Sequence, residues 1–382
     1  MKLEVRTSED QWLPVCADQW DNKWSNFICQ SFGYSRSVFT EYPTSGEVIG
    51  SSEIFMLKQG ASISLPPGNG MRFPGMLQKG PSSLCSSGSI VEISCQEFTC
   101  GNHGLADGVA ARLVGGDEAA NGQWPSVALL YHTRERATCT GSIISPRWLI
   151  ASYNCLHMRE KSLLPDGWVA FGGGSTFDKD KPETQIRTVK SIVPYPQVKY
   201  NRFLYNHDVA LVELMEPLTF TQSVGAICLP EKPIEPRQLC VTAGWGYTSP
   251  GEINFSQYLH YLPVPTIELN ECNSTQHYSG FITEDKICAG FTDAMHSPCY
   301  NDEGAPLMCV SEGGIWELQG VLSYHSNCGR GYHPSIFSSV TSVREWVRRV
   351  VGGRFERRST FNVRRRRGRR RRRSPLPRLV WT

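Results

Sequence analysis

Fourteen cysteines in 382 residues constrain this chain more than any other feature. The number is even and no C-x-x-C pair occurs, so the commonest zinc-site spacing is missing. Disulfides are the expected use of these thiols, and disulfides persist outside the reducing cytosol. The cysteines therefore predict an extracellular or cell-surface protein. The first residues, MKLEVRTSEDQW, contain no apolar run, and nowhere do about 18 apolar residues follow one another. An export signal or membrane anchor upstream of Met1 reconciles the two observations; a cytosolic protein carrying fourteen thiols is the alternative.

Charge divides the chain. The net charge is +3, but residues 354–382 hold thirteen Arg against one Glu, a balance of 13 − 1 = +12. The remaining 353 residues then carry 3 − 12 = −9. Four segments follow: 1–97 with four cysteines, a short 98–112 stretch, a body at 113–351, and an arginine-rich end at 352–382. The body alternates short β-branched and aromatic runs, such as Trp148-Leu149-Ile150 and Val209-Ala210-Leu211-Val212, with turn residues. That pattern predicts an all-β barrel or sandwich. TSVREWVRRVV at 341–351 predicts a helix with Val343, Trp346, Val347 and Val350 on one face. Thr341 would be its N-cap and Gly352-Gly353 its stop. From Arg354 the composition predicts disorder.

Two resemblances sharpen this outline. LEVRTSEDQWLPVCADQW at 3–20, FICQSFGY at 27–34 and CSSGSIVEISC at 85–95 resemble a scavenger receptor cysteine-rich domain. That family's pattern implies Cys16–Cys85 and Cys29–Cys95, and its members supply binding surface rather than chemistry. The body resembles a trypsin/chymotrypsin-type protease domain. The matching stretches are Arg112-Leu113-Val114-Gly115-Gly116, Cys139-Thr-Gly-Ser-Ile-Ile with Cys155, His207-Asp208-Val209-Ala210-Leu211, Thr242-Ala243-Gly244-Trp245-Gly246, Ile287-Cys288-Ala289-Gly290 and Cys299 to Cys309. The order of the two domains resembles the corin-like and other membrane-anchored serine proteases. The implied fold is mainly β: a double antiparallel β-barrel behind a small α/β receptor-type domain. The implied bridges are Cys139–Cys155, Cys240–Cys309, Cys272–Cys288 and Cys299–Cys328, with Cys100–Cys228 tethering the segment before the junction. All fourteen cysteines are then used.

The resemblance also implies which chemistry is missing. The family mechanism needs a hydroxyl nucleophile, an imidazole that takes its proton and a carboxylate that orients the imidazole. Those places hold Glu303, Asn154 and Asp208. An amide has no pKa suited to proton transfer. A carboxylate attacking a peptide would give an anhydride, a poor acyl intermediate. His157 lies three residues after Asn154, but the implied Cys139–Cys155 bridge should aim it elsewhere. In the specificity pocket, Ser297 stands where trypsin-like enzymes carry an aspartate. Ser323, His325 and Ser335 occupy the walls, the last two where glycines are usual, so the pocket should be narrowed. Asn301 takes the oxyanion-hole glycine's place, where its side chain opposes the backbone conformation required. Arg112-Leu113 is the candidate activation cleavage site, with Asp302 as the carboxylate that would receive the new terminus.

Asn254 and Asn273 begin N-glycosylation sequons. No cofactor and no metal are expected, although Asp208, Glu303 and His325 form a conceivable ligand set around the cleft. Arg364 to Arg373 could bind a polyanion through counterion release, and no aromatic residue interrupts that run to stack on bases. Together these readings predict a non-catalytic serine protease homologue that binds or regulates a protein partner. The alternative is an active trypsin-like endopeptidase.

Overall fold

The computed structural model describes residues 2–7, 11–31, 36–44, 52–60, 76–96, 99–101, 116–159, 163–201, 204–248, 254–291, 297–325, 333–358 and 379–381. They fall into two compact units, Met1–Phe98 with Arg348–Thr382, and Thr99–Val347.

In the first unit, β1 (Leu3–Arg6) pairs antiparallel with β2 (Trp12–Pro14). Helix α1 (Asn22–Ser31) follows, capped by Asp21, whose Oδ1 accepts the backbone N–H groups of Lys23 and Trp24 at 2.9 and 3.1 Å. Trp24 and Ile28 share its buried side, because residues four apart return to one face of a helix, and Cys29 lies beside them. They pack with Leu3, Val5, Val91 and Ile93. Strand β3 (Arg36–Glu41) pairs with β6 (Glu92–Gln96), and β4 (Glu53–Leu57) with β5 (Leu77–Pro81). Cys16–Cys85 and Cys29–Cys95 staple this small core.

The second unit begins with β7 (Asp117–Glu118) and contains two barrels. The first is built from β8 (Val127–His132), β9 (Ala137–Ser145), β10 (Trp148–Ala151), β11 (Trp168–Gly172), β12 (Gln185–Pro194) and β15 (Ala210–Leu214). They close in the order β10-β15-β12-β11-β8-β9. Leu130, Ile143, Leu149, Trp168 and Val212 fill its interior. Helix α2 (Tyr153–Arg159) follows β10 directly, and the hairpin β13 (Lys199–Asn201) with β14 (Leu204–Asn206) precedes β15.

The second barrel uses β16 (Leu239–Gly244), β17 (His260–Ile267), β18 (Lys286–Ala289), β19 (Pro306–Val310), β20 (Trp316–Tyr324) and β21 (Ser335–Ser339). The pairing of β16 with β17 closes it. Val264, Leu307, Leu322 and Phe337 form its core. Short helix α3 (Leu269–Cys272) is held to β18 by Cys272–Cys288. Cys240 and Cys309 face each other across β16 and β19 and are bonded. Cys139–Cys155 and Cys100–Cys228 complete six of the seven expected bridges. Cys299 is also disulfide-bonded, while Cys328 lies outside the described residues.

The carboxyl-terminal helix differs from expectation at both ends. Helix α4 spans Val340–Arg358, so Thr341 is inside it rather than its cap, and Ser342 Oγ bonds Ser339 O instead. The two glycines do not stop it, because glycine only weakens a helix by about 1 kcal/mol and carries no steric bar. Val343, Trp346 and Val347 are buried as the periodicity predicts, and Val350 is half-buried. Past the arginine run, β22 (Leu379–Trp381) pairs parallel with β1. Three apolar strand formers in succession are the local reason.

Candidate active site

The site lies where the two barrels meet. Asp208 immediately precedes Val209 and β15 and is completely buried. Its Oδ1 accepts the backbone N–H of Asn154 at 2.6 Å. Its Oδ2 accepts the hydroxyls of Ser152 at 2.9 Å and Ser323 at 2.7 Å. Ser152 and Asn154 come from the first barrel, and Ser323 from β20 of the second. Burial pushes the Asp208 carboxyl above its ordinary range, while Lys286, the Asn154 N–H and the two hydroxyls partly offset that rise. Cys139–Cys155 ties the start of α2 to β9 and so fixes Asn154 beside the aspartate. The backbone geometry of a carboxylate under the first turn of α2 is complete, but the side chain there is an amide.

The nucleophile position is occupied differently from anything the sequence shows. Asn301 sits at φ +71°, a left-handed conformation that asparagine tolerates better than most side chains. Asparagine thus holds a positive-φ backbone at this position. Its N–H donates to Glu303 Oε2 at 3.0 Å. Glu303 Oε1 lies 3.5 Å from His325 Nε2. The carboxylate therefore turns back over its own loop, bonds the Asn301 N–H and lies beside His325. His325 is only 7% exposed. Tyr300 crosses that ring edge-on at 5.2 Å and is itself exposed. Ser335 is buried and Ser297 half-buried.

Behind the loop, Asp302 accepts the N–H groups of Gly246 at 2.8 Å and Cys299 at 2.9 Å. A Cβ on Gly244 or Gly246 would meet the Asp302 carboxylate within 2.2–2.4 Å, which explains why the Gly244-Trp245-Gly246 stretch needs both glycines. Burial raises the Asp302 carboxyl to about 6, although the two N–H groups and His325 pull the other way. Arg112 and Leu113 lie outside the described residues, so the junction is not placed.

Other candidates separate from the site. His157 stacks on Tyr153, with ring centroids 5.1 Å apart and planes 16° from parallel. The ligand atoms of Asp208, Glu303 and His325 do not come together closely enough to share an ion. Among the described residues the only such group is Cys16, Asp18 and Cys85, whose cysteines are bonded to each other. Asn254 is exposed. Asn273 is not a free acceptor: Nδ2 donates to Ile282 O and Oδ1 accepts Ile282 N, both at 2.9 Å. Sequence reasoning missed three residues that shape the site. None of Ser152, Ser338 and Lys286 belongs to a stretch that the sequence analysis singled out. The signal for Lys286 was its position one residue before the Ile287-Cys288-Ala289-Gly290 stretch, whose strand had to be internal to the barrel.

The comparisons with known proteins agree with this geometry. The trypsin family model matches residues 113–347, and a scavenger receptor cysteine-rich domain model matches residues 1–104. Human transmembrane protease serine 5 is 32% identical over 354 residues, which span 91% of this chain and 72% of that protein. With its double barrel, its buried aspartate under the first turn of α2 and its bridging cysteines, the chain belongs to the trypsin-type serine protease family, in the two-domain arrangement shared with a transmembrane protease.

Proposed function

We propose that this chain is a non-catalytic member of that family, acting at the cell surface or outside the cell as a binding or regulatory protein. One observation carries the reading: the Glu303 carboxylate accepts the Asn301 N–H and lies against His325. A substituted nucleophile alone removes the attacking group. Here the substitute also fills part of the pocket that would stabilise the tetrahedral intermediate. Losing the nucleophile and base as a unit costs on the order of 10⁶ in kcat, or roughly 8 kcal/mol of barrier. Losing one oxyanion donor costs about 10²–10³ in addition when the rest of the machinery is intact. Asn154, whose N–H holds Asp208, offers no base to compensate.

The partner would be a protein engaged through the protease-like surface and the receptor-type domain, the latter being a module that supplies binding surface. The run Arg364–Arg373 would add affinity for polyanions, read out as retention on heparin that falls steeply with salt. No helix among the described residues is long and apolar enough to cross a membrane. The decisive experiment is a fluorophosphonate probe applied to the purified chain, beside a panel of peptide substrates. No labelling and no turnover are expected. Labelling of a serine at the cleft, or turnover of about 1 s⁻¹, would establish the alternative, an active endopeptidase.

A further inference from the structure

Asp208 is a completely buried carboxylate with no imidazole beside it, and a buried charge is costly unless a counter-charge or several donors accompany it. Three donors have been described. A fourth contribution comes from the opposite side. Lys286 opens β18, and its direct cross-strand neighbour on β21 is Ser338. The Ser338 hydroxyl oxygen accepts two bonds: the N–H of Asp208 at 3.1 Å and the Nζ of Lys286 at 2.8 Å. The lysine side chain is fully buried, and its ammonium also donates to the Tyr205 carbonyl and lies 3.3 Å from Asp285. Asp285 in turn accepts the N–H of His207, whose ring Nδ1 is 3.8 Å away, and the hydroxyl of Thr283.

We infer that Lys286 is a positioning residue and an internal counter-cation, holding Asp208 as a carboxylate from behind in the place of a histidinium in front. The cluster would then be a polar joint between the barrels, with Ser152, Asn154 and Asp208 on one side and Ser323, Ser338 and Lys286 on the other. The ammonium pairs directly with Asp285 and is joined to Asp208 through the Ser338 hydroxyl, and His207, Tyr153 and Tyr205 are further titratable groups around the cluster. Burial lowers the Lys286 ammonium from its usual range, and the two carboxylates act against that. Burial would raise Asp285, yet Lys286, Thr283 and His207 hold it below the ordinary range. The Asp285 direction is that of an ion pair formed inside the protein, whereas at Lys286 burial outweighs the pull of the carboxylates. The Ser338 link between lysine and aspartate is present whether or not the cleft turns over.

The test places a reporter on the other face of the aspartate. In an Asn154→His variant, the introduced imidazole follows the N–H that already bonds Asp208. Its pKa is measured by NMR titration, with Lys286 present and with Lys286→Met. Removing a neighbouring cation should raise the imidazole pKa, by roughly one unit for a charge pair at partly screened distance. A purely structural lysine would leave that pKa in place, and an unchanged or lowered value overturns the inference. Should Lys286→Met not fold, the wild-type chain supplies the second measurement, the ¹⁵N resonance of Lys286 Nζ near neutral pH. A charged ammonium is expected, and a neutral amine there overturns the inference. Fluorophosphonate labelling of the wild-type chain would refute the non-catalytic reading without touching this one.

Discussion

Asp302 offers a pH-dependence with a definite sign. In the folded chain its carboxyl is raised from 3.8 to about 6 by burial. A carboxyl whose folded pKa lies above its unfolded value binds protons more tightly in the folded state, so it opposes folding once ionised. Its contribution is harmless below about 4, grows through the window between about 4 and 6, and is complete above it. At 1.36 kcal/mol for each pH unit of that window, the ionised carboxylate costs the fold roughly 3 kcal/mol. With Asp302 only 9% exposed, water screens little of that. Asp302→Asn keeps an oxygen that can accept one of the two N–H groups, from Gly246 or Cys299, and cannot ionise. The other N–H loses its partner, which costs about 1–3 kcal/mol at every pH. The difference curve is therefore the readout: urea unfolding of both proteins from pH 4 to pH 8, wild type minus variant. Asp208 titrates in both and cancels. Wild type should lose roughly 3 kcal/mol relative to the variant as pH rises through the window. A flat difference would refute the assignment of a solitary buried carboxyl. A rising difference would mean that a cation pairs with Asp302, as the family resemblance implies for the amino group of Leu113 after cleavage at Arg112. The same pair of proteins, measured after cleavage, should then show the slope reduced or reversed.

Asn154→His combined with Glu303→Ser should give at most weak peptidase activity, and either change alone almost none, because nucleophile and base act as a unit. Arg and Lys substrates should have no advantage over others in a kcat/KM panel, since Ser297 provides no anionic pocket floor and His325 still lines the wall. Limited trypsin digestion at Arg112 should give one band without reductant and two with it, because Cys100–Cys228 joins the pieces; two bands without reductant would remove the tether. Glycopeptide mapping of secreted protein should find glycan at Asn254 and not at Asn273, whose side-chain amide is bonded at both atoms to Ile282. Asn273→Ala should lower the thermal midpoint where Asn254→Gln leaves it unchanged, the loss of two buried-end hydrogen bonds being worth on the order of 1–3 kcal/mol.

Much of the barrel architecture was legible because it depends on features that survive in one dimension. Strand runs such as Val209 to Val212 and the Cys139, Cys155, Cys240 and Cys309 positions carry their own signal, in β-branched content and in a family spacing. The helix after Ser339 was legible in its buried face but not in its limits, since Thr341 and the Gly352-Gly353 pair are weak punctuation against a helix already packed by Val343, Trp346 and Val347. The residues at the positions where the resemblance implies a triad, Asn154, Asp208 and Glu303, were legible as identities. What those identities do was not, because it depends on where side chains turn. Glu303 could have projected into solvent; only the left-handed turn at Asn301 puts an N–H where its carboxylate can reach it. Lys286 begins a strand and would face water in the opposite register, and only its pairing with Ser338 directs it inward.

The pattern of replacements separates a merely damaged enzyme site from a rebuilt one. Damage removes a partner and leaves its mate buried and unsatisfied, at a cost of about 1–3 kcal/mol for each orphaned group. Asp208 is the group most exposed to that fate, since Asn154 stands where the resemblance implies an imidazole. Its carboxylate nonetheless has three donors, its N–H has an acceptor in Ser338, and a lysine lies across that serine. The Asn301 N–H, which catalysis would keep open for a transient oxyanion, has a resident carboxylate in its place. That carboxylate in turn lies beside an imidazole that itself stands where glycine is usual. The Asp208 and Glu303 carboxylates thus have partners within the cleft, while His325 Nδ1 is buried without a hydrogen-bond partner. On the non-catalytic reading we propose, Glu303→Ser alone should expose the Asn301 N–H and yet restore no chemistry, because Asn154 still supplies no base.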